Sequence, residues 1–172
     1  MMAKKQTACL MNNPLTLNDD VKNYIQTSVL CWLATVDSEG CPNVSPKEIF
    51  TAYQDTHLLI ANIASPNSVR NLLVNKNACV SFIHVLIQKG YKLHGQADII
   101  EPHHAIYSEL VQPLELMTKK LFPIHSIIFF KVEKIQAIVA PSYRLIPGTT
   151  QESQVKSASE NYGLKVNLPG QQ

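Results

Sequence analysis

The sequence predicts a mainly β (α+β) fold in which a few capped helices flank an antiparallel sheet. Three observations lead there. The longest apolar runs are strand-sized and separated by turn signals. Residues Ala78–Ile100 read as one long hairpin. The stretch His57–Leu72, HLLIANIASPNSVRNL, passes from a strand directly into a helix start at Ser65-Pro66. With 172 residues the chain is expected to form one domain that buries about 70% of its unfolded surface.

Residues 1–14 are expected to be loosely ordered. Asn18 or Thr16 can cap a helix to about Thr27, with Asp19 and Asp20 suited to its dipole and Val21, Tyr24, Ile25 and Ser28 on one face. Val29–Val36 follows as a nearly continuous apolar strand, Asp37–Gly40 as a turn, and Asn43–Phe50 as the returning strand. Pro42 and Pro46 cannot donate to a ladder, so that strand must lie at an edge or carry an irregularity.

Leu58, Leu59, Ile60 and Ile63 form the next strand. Ser65 is a good N-cap, Pro66 fits the first helical position, and Val69, Leu72 and Leu73 then mark a buried helical face. A two-residue turn at Lys89-Gly90 would make residue i of the long hairpin face residue 179 − i. Val80, Phe82, His84 and Leu86 would then share an interior face with Tyr91, Leu93, Gly95, Ala97 and Ile99. His84 would stand opposite Gly95 as a core histidine or beside a ligand edge. Ser81, Ile83, Val85 and Ile87 form the other face, and its apolar members need a further cover.

Glu101-Pro102 opens a helical stretch bearing Ile106 and Leu110. Pro113 is expected to interrupt it before a second piece with Leu114, Met117 and Leu121. Ile127–Val132 and Ile135–Ala140 read as two closing strands. Pro147-Gly148 marks a boundary, Thr149-x-x-Glu152 a capping box, and Gly163 the end of a helix with Val155, Ala158 and Tyr162 on one side. The resulting organisation is a domain over residues 15–142, followed by a docked helix and tail over 143–172.

Composition narrows the function. A net charge of +2 is too small to argue for nucleic acid, and no Lys/Arg run forms a basic stripe. No apolar run approaches a membrane span, and MMAKKQTACLMNNPLTL has no continuous apolar core of a signal peptide. Cys9, Cys31, Cys41 and Cys79 show no C-x-x-C spacing. Reduced thiols in a cytoplasmic protein are expected, with Cys31 and Cys79 in strands and Cys41 beside a turn. The histidines give no metal-ligand spacing: His84 and His94 would point to opposite faces, and His103-His104 would face solvent.

A strand feeding a helix N-terminus aims free N–H groups and positive dipole at one point, an arrangement suited to phosphate. Asn62, Ile63, Ala64 and Ser65 stand at that corner, with Ser68 and Arg70 on the helix. The ordered set CWLATVDSEGCPNVSPKEIF, then SPNSVRNL, then ACVSFIHVLIQKGYKLHGQADII resembles the flavin-binding split-barrel family related to pyridoxamine 5′-phosphate oxidase, over roughly residues 20–142. The resemblance implies an antiparallel six-stranded split β-barrel with flanking helices, usually a homodimer, with FMN near the subunit interface. It also implies that Asn43, Val44, Ser45, Pro46 and Lys47 lie along the flavin ring, ribityl chain and phosphate.

Two departures qualify this. The family pattern has lysine before Val-Arg-Asn-Leu, where this chain has Ser68, so Arg70 or Lys47 would have to supply the charge. The C-terminal Arg- and Trp-containing segment of true pyridoxamine phosphate oxidases has no counterpart in GLKVNLPGQQ, and the only tryptophan is Trp32, so that oxidation is not expected. The resemblance thus implies an FMN-binding flavoprotein acting as an oxidoreductase on a small molecule. Two alternatives stay open: a non-catalytic flavin-binding or sequestering protein, and a haem-handling relative using His84, His94 or His103.

Overall fold

The computed structural model describes residues 16–164. The expectation for residues 1–14, and that for the last part of the tail, lie outside the described residues. The strands are β1 Cys31–Val36, β2 Pro42–Lys47, β3 Phe50–Tyr53, β4 His57–Asn62, β5 Asn77–His84, β6 Lys89–Ile100 and β7 Ser126–Val139. They form one antiparallel sheet in the order β2-β1-β5-β6-β7-β4-β3. The helices are α1 Asp19–Thr27, α2 Pro66–Val74, α3 Tyr107–Thr118, α4 Ser142–Leu145 and α5 Gln151–Tyr162.

The two edge strands explain the barrel. β2 and β3 stand at opposite ends of the sheet, yet only Glu48 and Ile49 separate them in sequence. The sheet must therefore curl until its edges meet at that bend. The expected strand Asn43–Phe50 is this bent element, divided between β2 and β3 because it serves both edges; where the resemblance implies six strands, the sheet has seven. The Ile49 carbonyl already accepts from the Ala61 amide at 2.9 Å, so pairing with β4 begins inside the bend. The placement of Pro42 and Pro46 on an edge strand agrees with their missing donors.

Two apolar layers result. Leu33, Leu58, Ile60, Val80, Phe82, Leu93, Ile128 and Phe130 fill the interior with Val21 and Ile25 of α1 and Leu72 of α2. Leu59, Ala61, Ile100 and Ile127 pack on Leu110, Val111 and Leu114 of α3 outside it. β4 is apolar at successive positions because both of its faces are covered. The Asn18 carboxamide caps α1 by accepting from the Val21 amide at 2.9 Å, as the sequence indicates.

Several expectations are corrected. β5 ends at His84, and Ile83 pairs with Gly90, so residue i faces 173 − i. Lys89-Gly90 begins β6, and Val85–Gln88 form the turn, with Gln88 in the left-handed region at φ 52°. The shift is even, so the face assignment survives for Val80, Phe82, Tyr91, Leu93 and Ala97. His84, however, is exposed at the strand end and faces Lys89, while Ala78 stands opposite Gly95.

Gly95 has another duty. A Cβ there would overlap the Lys131 carbonyl, at the bulge where β7 carries one extra residue. That bulge bends β7 without breaking it, so the two expected closing strands are one. Pro113 likewise sits inside a continuous α3 rather than interrupting it; Met117 near its end and Leu121 beyond it are exposed. The capping box of α5 is Thr150 with Ser153, one residue after the expected pair, because Ser153 answers the cap reciprocally. Gly163 ends α5 at φ 65°, as expected.

On α2 the buried face is Ser68, Asn71 and Leu72, while Leu73 is exposed. Turning polar side chains inward is unusual for a short amphipathic helix. It happens here because Asn71 reaches a buried hydroxyl on β1.

Candidate functional site

The site forms where β2 passes the β4–α2 corner. Asn43, Ser45 and Lys47 alternate onto one face of β2, while Val44 and Pro46 point outward and are exposed. α2 lies along that face. The Asn71 side-chain amide donates to the Thr35 hydroxyl at 3.1 Å, and Asn43 reaches the same oxygen at 3.4 Å. Asn62 braces the corner: its carbonyl oxygen accepts from the Ser65 amide at 3.2 Å, and its amide donates to the Ser126 hydroxyl at 2.9 Å.

Lys47 is the unusual member. Its residue is 4% exposed, and its ammonium donates to the Ser45 hydroxyl at 2.7 Å and to the Ser65 hydroxyl. Among the described residues no carboxylate lies within ion-pair distance of it. Burial pushes its pKa below the ordinary lysine value of 10.5. Cys31, its register partner on β1, offers no counter-charge, because burial pushes that thiol up to about 12. A buried cation that meets only neutral hydroxyls is costly without an anion.

Two further groups lack partners at the same corner. Ser68 is 1% exposed, and its hydroxyl makes no hydrogen bond. Ser65 occupies the N-cap position of α2, but its side chain does not cap the helix, since the hydroxyl is turned to Lys47. The amides of Asn67 and Ser68 are therefore left without a capping acceptor, and the first turn holds no acidic residue. The expected Ser65 cap is thus corrected: the position is right and the bond is not made.

The lining residues assemble into two adjoining depressions. One, of about 190 Å³, is bounded by Asn43, Val44, Ser45, Pro46, Ala64 and the Ser65–Ser68 turn. The other, of about 440 Å³, is bounded by Lys47, Glu48, Ile49, Ala61, Ile63 and Phe122, and shares Ser45, Pro46, Ala64 and Ser65 with the first. Of the two residue sets singled out in the sequence, Asn43–Lys47 is brought against Ile63–Ser65 and Ser68, with Asn62 bracing the corner. Arg70 is exposed and lines neither depression. Glu48, Ile49, Ala61 and Phe122 escaped the sequence reading. The signal for Phe122 was an aromatic residue before Pro123 in a segment without periodicity.

The histidines lie elsewhere. His94 bonds Gln136 at 2.9 Å, and His84 lines an apolar hollow beside Trp32 and Val85. No group of three or more His, Cys, Asp or Glu gathers among the described residues.

The family described as pyridoxamine 5′-phosphate oxidase matches residues 17–140, covering both edges of the site. The chain belongs to the pyridoxamine 5′-phosphate oxidase family. Within solved structures, HupZ of Group A Streptococcus is similar at 22% identity and TM-score 0.60, over 69% of this chain and 91% of that one. An FMN-binding protein of Syntrophomonas wolfei shares 16% identity with TM-score 0.61, over 70% and 84%. HutZ of Vibrio cholerae, described as a heme storage protein, shares 23% with TM-score 0.53, over 72% and 94%. Identities this low carry the fold alone. No curated protein matches the sequence.

Proposed function

We propose that this protein binds FMN and serves as a flavin-dependent oxidoreductase for a small molecule. The observation that carries the reading is the buried Lys47 ammonium, which has no counter-ion among the described residues, next to the Ser68 hydroxyl, which has no partner among them, and an uncapped helix N-terminus. All three deficits would be met by one dianion. A phosphate in the smaller depression would accept from the Asn67 and Ser68 amides and from the Ser68 hydroxyl. Lys47 stands one hydroxyl away, through Ser65, and supplies the charge that Ser68 does not. The lysine expected on the helix is thereby replaced from the neighbouring strand.

β2 does the rest of the holding. As an edge strand it has a backbone free on one side, and its residues Asn43–Lys47 lead from the phosphate corner toward the larger cleft. When bound, flavin supplies the electron-transfer chemistry, and the protein contributes placement and electrostatics. No side chain in the cleft is required as general base.

The partner is a second copy of the chain. Val29, Trp32, Val44 and Val85 are exposed on the outer side of the β2–β1–β5 edge. Two shallow hollows, of about 360 and 350 Å³, share Ile83 and Val85 on that surface. A twofold pair would cover it and wall the flavin groove from outside. Among the described residues no helix is long and apolar enough to cross a membrane. A cytoplasmic location is part of the proposal, and Cys31, Cys41 and Cys79, free thiols among the described residues, are in keeping with it.

Titration with FMN and with riboflavin tests the reading. FMN should bind more tightly than riboflavin by roughly 10- to 150-fold, the worth of a charge-assisted contact of about 1.5–3 kcal/mol. Equal affinities would remove the phosphate corner from the account.

A further inference from the structure

The larger cleft has a wall that the phosphate corner does not need. Phe122 stands between α3 and β7, facing a cleft whose apolar lining also includes Ile49, Ala61 and Ile63. Its segment is pinned on both sides. The Leu121 amide donates to the Thr118 carbonyl at 3.0 Å, the Ile124 carbonyl accepts from the Tyr107 hydroxyl at 2.8 Å, and the His125 amide donates to the Asn62 carbonyl at 2.9 Å. Yet Phe122 itself is 56% exposed. An aromatic ring held by fixed backbone at the rim of a concave apolar site forgoes burial that a ligand can restore.

The opposite wall is equally fixed. Ile49 and Ile63 pack against the cluster beneath α3, and Ala61 belongs to it. Lys47 and Ser45 also line the cleft, and they border the flavin corner; Glu48 lies on the bend. A ligand is thus offered polar contacts on the flavin side and an apolar, aromatic cover at the rim. The cleft's volume of about 440 Å³ lies in the range of small-molecule sites.

We propose that Phe122 is a specificity-determining residue, selecting flat aromatic small molecules by stacking at the rim of this cleft. The proposal rests on the flavin reading, since it takes the cleft as the substrate side of the same site. It accounts for an exposed phenyl ring on a braced segment, which neither the phosphate corner nor the fold requires.

The test compares 2-naphthol with 2-decalol, which has the same carbon skeleton but is puckered. Calorimetric titration would use protein saturated with FMN, with occupancy read from the flavin absorbance. Wild type should prefer 2-naphthol by about three- to tenfold. Phe122→Leu, which keeps an apolar side chain but loses the flat face, should abolish that preference, as should Phe122→Ala. Both variants should keep wild-type FMN affinity. A preference unchanged in both variants, or no naphthol binding to wild type, would overturn the proposal. So would binding of 2-naphthol to FMN-free protein alone, because the flavin itself would then fill the cleft. If wild type takes no FMN but the naphthol preference still depends on Phe122, the flavin reading fails and the aromatic cleft stands.

Discussion

Replacing Lys47 with methionine removes the charge and keeps most of the length and apolar volume. In the ligand-free protein this change should not destabilise. The ammonium is buried and bonded only to the Ser45 and Ser65 hydroxyls, so its solvation loss is not offset by a carboxylate. Toward FMN the same substitution should cost about 1.5–3 kcal/mol, or roughly 10- to 150-fold in affinity, because a charge-assisted interaction with the phosphate is lost. Riboflavin, lacking the phosphate, should be nearly unaffected.

The pH dependence follows from the same side chain. Burial lowers the folded-state pKa of Lys47 beneath its ordinary 10.5. Between those two values the unfolded chain binds more protons, so ligand-free stability should rise with pH toward 10.5. Below the folded-state value the full burial penalty is present. Lys47→Met should lack this rise. Chemical denaturation across the alkaline range, with paired FMN and riboflavin titrations, reads both effects. A variant that loses FMN and riboflavin equally, or unfolds more readily than wild type near neutral pH, would refute the reasoning.

Other substitutions probe neighbouring parts. Ser68→Ala should leave the ligand-free protein unchanged or more stable by up to about 1 kcal/mol, since a buried unpartnered hydroxyl is removed, while weakening FMN severalfold; urea melts and FMN titration report the two. Ser68→Lys should tighten FMN relative to Ser68→Ala, whereas Arg70→Ala should affect FMN less than Lys47→Met because Arg70 lines neither depression. Val85 is 53% exposed in the single chain, so Val85→Asp should cost a monomer no more than about 0.5 kcal/mol; light scattering should nevertheless show loss of the dimer, with flavin lost alongside it. Gly95→Ala should destabilise by about 3 kcal/mol in thermal or denaturant unfolding, because the new methyl group meets the Lys131 carbonyl at the bulge.

What the sequence made legible was whatever depends on local pattern. Asn18, Gly163 and the acidic turn Asp37–Gly40 announce element ends by chemistry that acts within a few residues, and all three stand where expected. The face parity of the long hairpin was legible too, since alternation survives any even shift of register. The turn itself was not: Lys89-Gly90 gives only a weak signal, and the left-handed Gln88 gives none. β7 shows the same limit, because its bulge depends on Gly95 of another strand.

The site divides along the same line. The β4–α2 corner could be named from its own strand-to-helix punctuation at Ser65-Pro66, whereas 43–47 could be named only through the family resemblance. That Lys47 is buried, and that Ser65 abandons its cap to meet it, follows only from the curl that brings β2 against α2. Leu73 fitted the apolar period but is outside, while Ser68 and Asn71 are inside, because Thr35 on β1 needs a partner that leucine cannot give. Departures from the local rules concentrate at the corner proposed to hold the cofactor, where function commonly overrides them.

The most direct measurement is the visible absorption spectrum of the freshly purified protein, followed by titration with FMN to micromolar concentrations. A bound-flavin spectrum with quenched fluorescence is expected, saturating at one FMN per chain and two per dimer. Absence of FMN binding across that range, or a Soret band without flavin absorbance, would contradict it.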